Sequence, residues 1–184
     1  MEAAQRNLIL IPFADLDEGL LPLRELASAV AAVFGLEGAV TAALPIPAEA
    51  FDRRHHQYPA AGFLTAAARS RNASMGPASA VLLGITGLDL FAPRLNFVFG
   101  MADAGLAVAV ISLCRLRPEF YGGDPDPRLF RQRALKEAIH ELGHIFGLAH
   151  CDRQDCIMHF STSIQDTDRK GPGFCDRCTG RMNL

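Results

Sequence analysis

The stretch from His140 to His150, HELGHIFGLAH, constrains this chain more than any other part of it. His140 and His144 are four apart, so on a helix they stand about 40° apart at roughly 100° per residue, close enough to share one ion. Leu135, Ala138, Ile139, Leu142 and Phe146 fall on the opposite side of the same wheel. The pattern predicts a helix over 130–146 that packs by one face and presents histidines on the other. Glu141 projects about 100° from His140, near an ion but poorly placed to ligate it together with both histidines. That is where a general base should stand. Gly147 ends the helix in a left-handed turn that glycine adopts without strain, which brings His150 back as a third ligand. Three neutral imidazoles leave a fourth zinc position open to water, the arrangement of a catalytic site.

A second cluster follows at once. Of five cysteines, Cys151, Cys156, Cys175 and Cys178 lie beyond the histidine motif, spaced C-x4-C and C-x2-C. Soft thiolates in two close pairs suit tetrahedral zinc, and a closed site of four thiolates is structural. Its expected task is to pin a tail too poor in apolar residues to pack alone. Two disulfides are the rival reading. Cys114 sits in an apolar stretch and reads as a small core residue.

Composition bounds the rest. A chain of 184 residues is about one domain and buries a core without needing a metal for it. Hydrophobic residues are 49%, charged residues 21% and the net charge is −2, which describes a soluble globule with no basic field for nucleic acid or an anionic membrane. No apolar run approaches the roughly 18 residues of a membrane span. Residues 1–6 include an acid and the apolar run 8–13 is short for a secretory signal, so the expected location is cytoplasmic, with thiols reduced. That setting favours metal over disulfides. A first strand near Leu8 leaves no room before it for an inhibitory segment, which points to a narrow cleft or a restricted substrate.

Periodicity predicts strands over 8–11, 39–43, 80–85, 96–100 and 106–113, and helices over 20–34, 60–70 and 130–146. Residues 48–58 and 118–127 read as loops, and everything after Gly147 as irregular. The order predicts an α+β or mixed α/β fold.

HExxHxxGxxH followed by a methionine turn is the mark of the metzincin zinc peptidases. Here the histidine motif, Cys151, Cys156, Met158 and the Cys175/Cys178 pair closely resemble the archaemetzincins. The stretches GITGLDL (84–90) and LNFVFG (95–100) resemble that family as well, so the likeness runs from about 8 to 178. It implies a metzincin-like domain over 1–184, with a twisted mixed sheet, a backing helix and an active-site helix in 1–147. Residues 148–184 would hold the methionine turn and a zinc-bound irregular part. It implies a catalytic zinc on His140, His144 and His150, Glu141 as base, Met158 beneath the zinc as packing, and a second, structural zinc on the four cysteines. The implied activity is hydrolysis of peptide bonds by Glu-assisted attack of zinc-bound water on a peptide or protein substrate. A monomer is the expected state. Phe160, two residues after Met158, cannot ligate where some metzincins carry a zinc-binding Tyr.

Other residues carry less. Tyr121, beside Gly122 and Gly123, is a candidate hydrogen-bond donor to a developing oxyanion, with packing as the plainer role. His55, His56, Arg115 and Arg117 read as solvated, and His159 as structural. The strand over 106–113 is the candidate rim that pairs with an extended substrate. Aminopeptidase action needs an acid for the substrate α-amine, for which Asp103 and Glu119 are candidates. A non-catalytic zinc module that binds peptides or a partner protein is the alternative, and Glu141 argues against it because binding needs no base.

Overall fold

The computed structural model describes residues 7–16, 19, 21–47, 51–53, 55–71 and 80–182. Residues 1–6, Leu20, and 48–50 and 54 of the predicted loop fall outside them.

Five strands form the main sheet: β1 (Asn7–Pro12), β2 (Glu37–Val40), β4 (Val81–Thr86), β7 (Gly100–Asp103) and β8 (Val108–Ser112). Their order is β2-β1-β4-β8-β7, parallel except for β7, which runs antiparallel to β8. β1, β4 and β8 are buried on both faces, as continuous apolar runs in a parallel sheet must be. Their side chains alternate between two cores. Leu8, Leu10, Leu83, Ile85, Ala109 and Ile111 meet α1 (Leu23–Val33) and α3 (Pro127–Ile145) on one face. Ile9, Ile11, Leu82, Val108 and Val110 meet α2 (Ala60–Ser70) on the other.

A smaller sheet is formed by β3 (Tyr58–Pro59), β5 (Leu90–Ala92) and β6 (Leu95–Val98), in the order β3-β5-β6. The predicted strand over 96–100 is therefore two strands: the chain leaves β6 at Val98 and enters β7 at Gly100, in a different sheet. The predicted rim strand is also corrected. β8 lies between β4 and β7 and has no free edge, so β7 is the edge strand on that side of the sheet.

α3 starts at Pro127, three residues before the apolar period begins. Asp126 caps it, accepting from the Leu129 N–H at 2.9 Å, and Pro127 follows at the first helical position where its missing N–H costs nothing. Beyond it the tail is not wholly irregular: α4 (Ile164–Arg169) and α5 (Asp176–Thr179) are short helices. α4 begins with a capping box in which Ser163 and Asp166 satisfy each other's backbone N–H. Cys151, Cys156, Ile157, Met158, Ile164 and Cys178 join the core on the α1/α3 face. Phe34, at the end of α1, stacks on Phe146 at 4.8 Å and meets Phe174 of the tail edge-on at 5.8 Å, tying three segments together.

Candidate metal centres and cleft

α3 delivers His140 and His144, and its end delivers His150. The helix stops in a Schellman motif: Leu148 N–H bonds Gly143 O at 2.9 Å, Gly147 N–H bonds His144 O at 3.1 Å, and Gly147 has φ +86°. The freed Leu148 carbonyl accepts from His144 Nδ1 at 2.7 Å. His140 Nδ1 is held in the same way by Ile157 O at 2.8 Å. A carbonyl can only accept, so both Nδ1 atoms carry the proton and both Nε2 atoms keep their lone pair. Those Nε2 atoms lie 3.2 Å apart. Two ligands about 2.0–2.1 Å from a tetrahedral zinc would be about 3.3 Å apart, so the donor pair fits. The donor atoms of all three histidines lie within 4.8 Å of one another. Burial holds His140 well below the usual imidazole range and takes His150 down to about 4, which keeps the rings neutral and able to ligate.

Glu141 is 5% exposed, and burial pushes its carboxyl well above the usual range, with the Glu137 carboxylate adding to the rise. It faces the start of β7: a Cβ on Gly100 would sit 2.6 Å from its carboxylate. The cleft here, about 400 Å³, is lined by Glu141, the three histidines, Gly100 to Ala102 of β7, Phe97 and Phe99, and Phe160 and Ser161. The Phe160 ring lies 4.7 Å from that of His150.

Met158 is fully buried, and its sulfur occupies the space a side chain at Gly143 would take. Cys151 N–H bonds Met158 O at 2.8 Å, so the methionine turn and the first cysteine are joined.

All four late cysteines are free thiols with sulfurs within 4.8 Å of one another. Cys151 and Cys175 sulfurs are 3.9 Å apart, and those of Cys156 and Cys178 3.7 Å. A thiolate tetrahedron at about 2.3 Å from zinc has edges of about 3.8 Å, so this set also fits the ion. The Cys178 backbone N–H pulls the Cys175 thiol down to about 7, while burial pushes the Cys156 and Cys178 thiols up.

Other candidates stand elsewhere. Tyr121 is not brought to the cleft; its hydroxyl donates to Arg115 O at 3.0 Å. Arg115 is not solvated as expected: it forks onto Asp89 with two bonds of 2.7 Å and lies 4.3 Å over the Phe97 ring. Glu119 lines a different pocket, and Asp103 accepts from Leu106 N–H at 3.0 Å. His159 Nδ1 bonds Cys151 O at 3.1 Å, a structural contact. Sequence reasoning missed Glu137, buried in the cleft wall with Lys170, because a pair 33 residues apart leaves no local pattern.

The model of peptidase family M54 matches residues 74–183. An archaemetzincin of Pyrococcus furiosus is 43% identical over 178 residues, 95% of this chain and 91% of that one. The chain belongs to the archaemetzincin family. The crystal structure of archaemetzincin from Methanopyrus kandleri, 36% identical, covers 98% of this chain and 94% of its own with a TM-score of 0.79. That of a zinc-dependent peptidase from Methanocorpusculum labreanum, 31% identical, covers 95% and 99% with a TM-score of 0.82. Archaemetzincins are metzincin zinc metallopeptidases, and this chain is an enzyme of that class. Among the described residues no helix is long and apolar enough to cross a membrane.

Proposed function

We propose that the chain hydrolyses peptide bonds in peptide or protein substrates with His140, His144 and His150 as the ligands of a catalytic zinc and Glu141 as the general base. The observation that carries this reading is the convergence of two Nε2 atoms, each freed by an Nδ1 bond to a carbonyl, in one cleft with a buried carboxylate. Bound zinc supplies a Lewis acid and an activated water. Glu141 takes the water proton and delivers it to the leaving amine, a task served by a carboxyl raised by burial. The free edge of β7 supplies backbone groups that align an extended substrate across the cleft. Cys151, Cys156, Cys175 and Cys178 hold a second, structural zinc, giving two ions per chain.

A binding-only module would have no use for Glu141. The test is Glu141→Ala, assayed on a peptide library by mass spectrometry with metal content measured alongside. Zinc should stay bound while hydrolysis falls about 10²–10⁴-fold. A variant that cleaves as fast as the wild type would mean that Glu141 is not the base.

A further inference from the structure

Glu137 is 2% exposed, yet it lines the cleft one helical turn before His140 and Glu141. Its Oε1 accepts from Lys170 Nζ and from Thr167 Oγ1, both at 3.1 Å. No hydrogen bond reaches Oε2 from any of the described residues. The Lys170 side chain is fully buried. A buried ion pair is weak evidence for stability, since desolvation offsets most of its attraction. Nor is it needed to fasten α4 to α3. Arg133 forks onto Asp168 with two bonds of 2.7 Å, and Lys136 Nζ bonds the carbonyls of Thr167 and Asp168 at 3.0 and 3.1 Å.

A second unfilled polar atom lines the same cleft. Ser161 Oγ is buried with no hydrogen-bond partner among the described residues, a position that costs free energy until something fills it. Leu95, Phe97, Met101 and Phe160 share the lining with Glu141 and the three histidines. A carboxylate oxygen and a hydroxyl, both without a hydrogen bond, in one cleft describe a polar subsite for a donor-bearing group. Resting on the peptidase reading above, we propose that Glu137, with Ser161, is a specificity-determining residue that receives a protonated nitrogen of the substrate. Lys170 is the positioning residue: it takes one carboxylate oxygen and leaves the other for the ligand. The cation comes from either of two sources, a lysine or arginine side chain beside the scissile bond or a free α-amine at the substrate's N-terminus. The second source would make the enzyme an aminopeptidase, with Glu137 in the role for which Asp103, turned to the Leu106 N–H, and Glu119, in another pocket, were candidates.

The experiment is a set of peptides on one backbone carrying lysine, norleucine or glutamate at each position flanking the scissile bond. Each is made with a free and with an acetylated N-terminus. Cleavage is read on the zinc-loaded wild type, and binding on zinc-loaded Glu141→Ala. Lysine should be preferred to norleucine by about tenfold or more at one position, or a free N-terminus to an acetylated one by a similar factor. Ser161→Ala, which should fold normally, should reduce that ratio, and Glu137→Gln should abolish it. The double variant Glu137→Met with Lys170→Met leaves no unpaired buried charge and should reverse the preference toward norleucine. Cleavage without any preference for a cation overturns this proposal and leaves the peptidase reading standing. Cation-selective binding without cleavage does the opposite. Neither binding nor cleavage would overturn both.

Discussion

The two clusters stand side by side and differ in how they meet solvent. The histidines run from buried to exposed along the motif: His140 is 4% exposed, His144 half-buried and His150 open to the cleft. The cysteines close on one another, and three of the four are buried in the α1/α3 core. An open set with one position left for water is what chemistry needs, and a closed set is what a tail of short helices needs. The contacts between them are asymmetric. Ile157, next to Cys156, orients His140, and Cys151 follows His150 directly, so the histidine site leans on the cysteine site. α3 itself packs on the sheet and on α1.

The largest expected effect tests that dependence. Cys156→Ser with Cys178→Ser should remove the structural zinc, unfold the tail, disorder His140 and so release the histidine-held zinc as well, since structural zinc binding is folding free energy. Bound metal, circular dichroism and melting temperature report it together. If the double variant keeps one zinc and a native melting temperature, the histidine site does not lean on the cysteines.

Gly143→Ala comes next. Its methyl would meet Met158 sulfur, with Met158 Cε at 3.1 Å and Phe174 Cε1 at 3.3 Å, so overpacking should cost about 1–3 kcal/mol in denaturant unfolding. The cysteine site should keep its metal. A neutral substitution would mean that Met158 is not packed under the helix.

A smaller effect concerns acid. Burial holds His140 and His144 below the usual value when only the cysteine site is loaded, so below about pH 6.5 the unfolded chain binds more protons than the folded one. Stability should be level above that pH and fall as pH drops below it. Melting of the protein stripped of the histidine-held zinc alone, at pH 7.5 and 5.5, checks the sign, and an unchanged midpoint would mean that the rings are solvated.

Much of this was legible in sequence where the determinants are local. The histidine spacing, Gly147 and the four cysteines are short-range patterns, and the helix over 60–70 matches α2 (Ala60–Ser70) because alanines and apolar residues repeat at its period. The capping box of α4 was equally local, S-x-x-D at 163–166, but passed unread among polar neighbours. Topology was not legible. Residues 106–113 looked like any apolar strand, and whether such a strand is interior or edge depends on which partner lies beside it. For Tyr121, a candidate oxyanion donor with packing as the plainer role, adjacency in sequence to the active helix says nothing about direction; its hydroxyl turns to Arg115. Glu137 and Lys170 meet only after the tail folds back over α3.

The central claim is that one site is open and the other closed. A chelator titration that follows bound zinc, circular dichroism and peptide cleavage on one sample tests it most directly. The protein should start with two zincs, lose the histidine-held ion first together with cleavage, keep most of its secondary structure at one zinc, and regain activity when zinc is restored. Loss of both ions in a single step with collapse of the fold, or a fully loaded protein that holds only one, would contradict it.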